Sequence, residues 1–298
     1  MTLRLKADFF ADWNAHLRTL LLAQGWSNAE VEEIPDADVA ARFFDASRRK
    51  IAVRPRAVEL ADDFSCPPDH QAGWDALHAK IRDGLDLNPH LSLQHASLHN
   101  LDGLLAEWGV HHFHLGVGPH LRNPAFTERT RPVVFGLVTD STFHAINVFS
   151  HGRGYQPFTD NSVLESIHRN WPNLIEKYRA KAVTGEAWTP EQRKHLRSSN
   201  ANVVSKVADG TAYIPIAGGV MASGVSAEAM RAADAYFYRI RRLQEQVESK
   251  LNTEILPALR LNGYSDAPEV HATLQVTEAG DLQVYIPKYD VIVRTEAG

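Results

Sequence analysis

Apolar residues recur at helical spacing near the start of the chain. Phe9, Phe10, Trp13, Leu17, Leu20 and Leu21 fall on one face and Gly25 follows as a stop, which predicts an amphipathic helix over 6–24. Asp36 or Asp38 can cap a second helix running through Phe43 and Phe44. Ile51, Val53, Val58 and Leu60 then suggest an extended segment over 50–60, held at a sheet edge by Pro55. Trp74, Leu77 and Ile81 predict a helix over 71–85 ending near Gly84, and 99–108 reads as another ending at Gly109.

The period changes after Gly109. Residues 110–117 read as a strand, 119–126 as a loop, and 132–139 and 142–149 as the two strands of a hairpin turning at Asp140-Ser141. In a strand over 110–117, His112 and His114 share one face, while Phe113 and Leu115 share the other. If Phe113 and Leu115 enter the core, both histidines face solvent or a cleft. A helix starts at 163–168 and is interrupted at Trp171-Pro172, and 190–200 is polar and helical at first.

A glycine-rich stretch, 217–224, separates a short apolar run from a long helix over 226–255. Ala229, Ala233, Tyr236, Phe237, Ile240, Leu243, Val247 and Leu251 form a single apolar stripe on that helix. The stripe suits either a homodimer interface or the spine of a second domain. The glycine stretch could cradle a phosphate but lacks the P-loop lysine and the dinucleotide spacing, which favours a structural turn. The tail alternates as a β-hairpin or meander turning at Ala279-Gly280.

The expected fold class is α+β. Helices pack on a small twisted, mostly antiparallel sheet, followed by a C-terminal long helix with a small β-meander. The change of character near 173–189 predicts a domain over 1–173 and a second over 174–298.

Composition narrows the function. The 298 residues carry a net charge of −5 with a pI near 6.3, which counts against a nonspecific nucleic-acid binder. The lone Cys66 excludes a disulfide framework and a cysteine-rich zinc site. The opening segment interleaves charges with apolar residues, unlike a secretory signal, and no run approaches the ~18 apolar residues of a membrane span, so a cytoplasmic protein is expected. Arg48, Arg49, Lys50, Arg54 and Arg56 form the densest basic patch, either a solvated edge or a phosphate-facing surface.

Ten of the fifteen histidines lie between His90 and His168, which focuses the search for a site there. His112 and His114 with His120, His144 or His151 could ligate a metal, the reading of a metal-dependent hydrolase or oxygenase. Metal-free RNA cleavage is the other chemistry these residues suit, since it needs a base, cationic donors for the phosphate and an acid. Arg129 and Arg131 stand at the start of the 132–139 strand and His151 at the end of its partner, where antiparallel pairing brings strand ends together.

The order His112-x-His114-Leu115, spacer, Arg129-Thr130, apolar strand, turn, second strand and His151 resembles the RelE/YoeB/YafO group of toxin ribonucleases, and the YafO type most closely. The resemblance spans about 104–155. It implies a metal-independent endoribonuclease, or a stand-alone descendant of one, with His112, His114, Arg129 and His151 on the RNA-facing side and no metal or cofactor. In this scheme Arg129 and Arg131 hold the phosphate, His112 or His114 is the base and His151 the acid. Arg153 and Tyr155 assist at the substrate. RNA is the partner this scheme implies, and the sequence leaves any antitoxin or ribosome dependence open. Residues 85–168 hold four arginines against seven acids, so phosphate affinity would draw on Arg48–Arg56 or Arg239–Arg242. A catalytically inert interaction protein of phage-defence or mobile-element type stands as the non-enzymatic alternative.

Overall fold

The computed structural model describes residues 2–150, 159, 161–183 and 188–294, apart from the side chains of 95 and 96. In chain order the elements begin with β1 (Arg4–Lys6), α1 (Phe9–Ala23), α2 (Asn28–Glu32), α3 (Val39–Arg48), β2 (Ala57–Leu60), α4 (Gln71–Asp83) and α5 (Gly103–Trp108). Next come β3 (Val110–His114), β4 (Pro119–His120), β5 (Asn123–Thr127), β6 (Pro132–Val138), β7 (Thr142–Ser150), α6 (Ser162–Asn170) and α7 (Pro172–Ile175). The chain continues through β8 (Arg179–Ala180), α8 (Pro190–Ser198), β9 (Ser205–Lys206), β10 (Ala212–Tyr213), α9 (Ala227–Lys250) and α10 (Leu256–Leu261). It closes with β11 (Glu269–His271), β12 (Thr273–Val276), β13 (Leu282–Ile286) and β14 (Val291–Val293). The fold is α+β, as the hydrophobic pattern predicts, and no described helix is long and apolar enough to cross a membrane.

Contacts divide the chain into two compact units, Met1–Phe44 with Met230–Gly298, and Asp45–Ala229. The boundary expected near 173/174 falls inside the second unit, because Ile175, Val207, Tyr213 and Ile216 share a core with Val163, Leu164 and Ile167. Local composition shifts there without the packing being interrupted.

In the unit formed by the chain ends, Asp8 caps α1 by accepting from Ala11 N. Phe9, Trp13, Leu17 and Leu21 of α1 are buried, as are Ile240, Val247 and Leu251 in the α9 region. Trp13 stacks on Tyr236 with ring centroids 4.8 Å apart, and Phe10 stacks on Phe237 at 4.7 Å. Of the stripe that suits either a homodimer interface or the spine of a domain, Ile240, Leu243, Val247 and Leu251 are buried while Phe237 is 48% exposed. The helix predicted to end at 255 continues, since α9 passes through a π-helical turn at Leu251–Ile255 into α10, which contains Pro257. Proline lacks the N–H of a regular turn, and the wider turn accommodates that loss. β1 pairs in parallel with β11, and β12–β13–β14 form the predicted antiparallel meander.

The second unit is built on a four-stranded sheet in the order β2-β7-β6-β3. β3–β6 and β6–β7 are antiparallel, while β2 joins β7 in parallel. Helices cover both faces. On one, Trp74, Leu77 and Ile81 of α4 pack against Phe113, Val134, Phe143 and Ala145. On the other, Leu104 and Trp108 of α5 with Val163, Leu164 and Ile167 of α6 pack against Val110, Val133, Phe135 and Ile146. Gly84 ends α4 in the left-handed region at φ 70°, where its missing Cβ removes the usual steric penalty.

Two local predictions are corrected. The stretch 119–126 is not a plain loop: β4 and β5 pair there as a short hairpin. The helix expected over 99–108 is reduced to α5, because Asp102 Oδ1 accepts from the N–H groups of Leu104 and Leu105, both at 3.0 Å, and so fixes the helix start.

Candidate functional site

β3 sets the site by its alternation. Phe113 and the following Leu115 are buried in the core on the α4 side. His112 and His114 project together from the opposite face, on the same side as Val110. Register pairs His112 with Phe135 and His114 with Val133 of β6, and the two imidazole centroids lie 6.3 Å apart. Both rings line a cleft of about 390 Å³. Its other walls are Ser92 and Gln94, the segment Asn100–Leu104, and Arg197 of α8.

The two histidines have different surroundings. His112 Nδ1 stands 3.9 Å from Asp102 Oδ2, and Asp102 is itself held as the α5 cap. His114 Nδ1 accepts from the Thr130 backbone N–H at 3.0 Å, and the Thr130 carbonyl oxygen lies at the same distance. A neutral Nδ1 is satisfied by the N–H and a protonated one by the carbonyl, so the ring keeps a partner in either state. The Thr130 hydroxyl accepts from Leu115 N at 2.9 Å, tying this segment to the end of β3.

Behind the cleft is a largely buried charge cluster. Glu107 of α5 accepts from Arg193 Nη1 at 2.8 Å and from Arg197 Nε at 3.0 Å, with Arg197 Nη2 on the same carboxylate. Arg193 and Arg197 stand one turn apart on α8, and both guanidiniums lie over the Trp108 ring, at 5.3 and 5.7 Å. Arg193 also donates to Ser205 Oγ at 2.6 Å and to Asn161 Oδ1 at 3.3 Å. Burial lowers the Arg193 pKa, opposed by the Glu107 charge.

Arg129 has a different role from the expected phosphate clamp. Its Nη2 donates to the carbonyls of Leu91 at 2.7 Å and His90 at 3.4 Å, and it is absent from the cleft lining. Burial lowers its pKa to about 10. The side chain thus clips the 127–130 segment onto 90–91, a packing task. Arg131 is exposed and likewise does not line the cleft. His151, Arg153 and Tyr155 lie outside the described residues. Before them, the β6–β7 register pairs Pro132 with Ser150, which agrees with the expected meeting of those strand ends.

The other candidate histidines are engaged elsewhere. His120 Nδ1 accepts from Asn123 N at 3.1 Å and closes the β4–β5 turn. His144 Nδ1 is 3.2 Å from Glu59 Oε2, its ring packs on Trp171, and burial lowers its pKa against the opposing Glu59 charge. Among the described residues, no group of three or more His, Cys, Asp or Glu is placed to hold a metal ion. Burial, with the Asp75 charge, raises the Cys66 thiol pKa, which disfavours a thiolate nucleophile.

The basic patch at 48–56 is mostly tied into the protein. Arg49 donates to the carbonyls of Ser97 at 2.6 Å and Leu98 at 3.2 Å, and Arg56 to those of Thr139 at 2.7 Å and Ala52 at 3.0 Å. Arg48 reaches Ser226 and Glu228, and Arg54 pairs with Asp140. The expected edge strand is present, since β2 lies at the edge of the sheet and Lys50 and Arg54 are exposed, while Arg48, Arg49 and Arg56 are spent on contacts within the protein. In the glycine stretch, the N–H groups of Ala217 and Gly219 donate to Glu107 and Ala106 carbonyls, and that of Val220 to Asn202 Oδ1. Those donors are occupied by the protein, which makes the stretch a structural turn.

Asp102 and Arg197 were not singled out from the sequence. Asp102 carried a usable signal, an aspartate just ahead of an apolar helical run, which is the pattern of an N-cap. Arg197 carried none, since α8 reads as a polar surface helix and its partner Glu107 is 90 residues away. Comparison with protein-family models, curated proteins and solved structures returned no match.

Proposed function

We propose that the cleft at His112 and His114 is the active site of a toxin-like, metal-independent endoribonuclease. The observation that supports this reading is the convergence of two imidazoles, one near a carboxylate and one with a partner in either protonation state, in a single cleft. RNA supplies its own nucleophile, so an acid and a base suffice for the proton transfers.

His112, whose Nδ1 lies 3.9 Å from the Asp102 carboxylate, removes the proton of a 2′-hydroxyl. The 2′-oxygen then forms a bond to phosphorus as the bond from phosphorus to the 5′-oxygen breaks. His114, protonated at the start, gives its proton to that leaving oxygen. The products are a 2′,3′-cyclic phosphate and a 5′-hydroxyl, and the two histidines finish with their protonation states exchanged. Water then restores them. His151, expected as the acid, lies outside the described residues, and the reading gives that step to His114.

The test is cleavage of end-labelled RNA in the presence of a chelator by the full chain and by His112→Ala, His114→Ala and His151→Ala. His112→Ala and His114→Ala are each expected to lose about 10²–10⁴-fold in rate, with unchanged far-ultraviolet circular dichroism. A 2′-deoxy substitution at the cut site should block the reaction. Full activity in His112→Ala and His114→Ala would overturn the reading, and loss of activity in His151→Ala alone would return the acid role to His151.

A further inference from the structure

We infer that Arg197 is the phosphate-binding residue of the cleft, in place of the strand arginines near β6. The inference rests on reading the cleft as an RNA-cleaving site, and it assigns the anion subsite that such a site needs.

Three observations point to it. First, among the described residues Arg197 is the arginine that lines the cleft beside His112 and His114, whereas Arg129 is turned to the carbonyls of 90 and 91. Second, its guanidinium is held in place. Glu107 takes the Nε and Nη2 edge, and the Trp108 ring lies beneath at 5.7 Å. Two guanidiniums share the one Glu107 carboxylate, so these three side chains together are net positive. Arg193 is sunk at 1% side-chain exposure while Arg197 keeps 16%, so the outer member of the pair is the one a ligand can meet. Third, the chain leaves space for this side chain. A Cβ built on Gly103 would stand 2.6 Å from Arg197 Cδ, so any larger residue at the start of α5 displaces the arginine.

A guanidinium in the cleft wall that keeps 16% exposure suits the nonbridging oxygens of a phosphodiester. Asp102 also lines the cleft, but its carboxylate serves the α5 cap and faces His112. The subsite is therefore matched to one phosphate flanked by the acid–base pair, rather than to an extended polyanion track.

The experiment uses the full chain with a fluorescein-labelled oligodeoxynucleotide, which lacks the 2′-hydroxyl and cannot be cut by this route. Binding is read by anisotropy across a salt series, beside cleavage of the matching RNA. Arg197→Gln should weaken binding at least tenfold and lower the slope of log affinity against log salt by about 0.7, the loss of one single-strand phosphate contact. Arg197→Lys should fall between, and Gly103→Ala, which keeps the charge but moves it, should also weaken binding. Wild-type affinity and salt slope in Arg197→Gln would overturn the inference, as would an absence of oligonucleotide binding by the wild-type protein. The two proposals separate cleanly. Binding through Arg197 without RNA cleavage keeps the subsite and removes the catalytic reading. Equal cleavage and binding by wild type and Arg197→Gln keeps the catalytic reading and removes the subsite.

Discussion

Glu107→Gln is the most direct probe of the framework behind the cleft. The substitution keeps size and shape but removes the charge that two guanidiniums share. Arg193 has 1% and Glu107 10% of its side-chain surface exposed, so water screens the pair little. Breaking a buried ion pair while leaving its partner charged costs about 3–5 kcal/mol. For a unit the size of Asp45–Ala229, each kcal/mol lowers Tm by roughly 2–4 °C, so a fall of about 6–20 °C is expected. Thermal unfolding followed by near-ultraviolet circular dichroism measures it. A second variant, Arg193→Met, should also destabilise, and the double variant should lose less than the sum of the singles, with a coupling of about 1–3 kcal/mol. The reason is that the double removes both buried charges together. A loss below about 1 kcal/mol in Glu107→Gln, or strictly additive singles, would refute the claim that this bridge holds α8 to α5.

Other consequences are equally specific. His90 is buried, donates from Nδ1 to the His114 carbonyl at 2.8 Å and accepts from Lys80 Nζ at 2.9 Å, and burial lowers its pKa from 6.5 to about 4. The unfolded chain therefore takes up this proton first, so stability is full above about pH 6.5 and falls by about 3 kcal/mol as the pH drops from there through 4. His90→Gln should flatten that part of the curve in urea titrations, and identical pH profiles would contradict the assignment. Gly73→Ala raises helix propensity by about 1 kcal/mol, yet its Cβ would stand 1.9 Å from the Leu115 carbonyl oxygen, so a net loss of about 1–3 kcal/mol is expected by chemical denaturation. A stabilised variant would show that the α4–β3 approach is looser than described. Asp102→Asn keeps an N-cap acceptor but removes the carboxylate near His112, so Tm should hold while RNA cleavage falls about tenfold. Undiminished cleavage would detach Asp102 from the proton transfer.

Much of the architecture is written locally. The 3.6-residue period predicted α1, α4 and the long α9. The alternation within 110–114 placed Phe113 in the core and sent His112 and His114 to the other face, as found. Turn and stop residues marked Gly84, Gly109 and the β6–β7 hairpin, because these depend on backbone preferences that a few neighbours determine. What faces the two histidines was a different matter. Arg129 follows β3 closely in sequence and was expected at the site, yet nearby carbonyls at 90 and 91 capture its guanidinium. Arg197 arrives on a helix that looks solvent-facing in sequence, and it is positioned by a carboxylate on α5 and by the absence of a side chain at Gly103. The joining of the two chain ends in one unit was likewise invisible, since β1 finds β11 only after the chain has traversed the whole second unit. Periodicity fixes which way a side chain leaves its own element. Which distant charge or carbonyl it then meets is decided by packing between elements, for which the local pattern carries no signal.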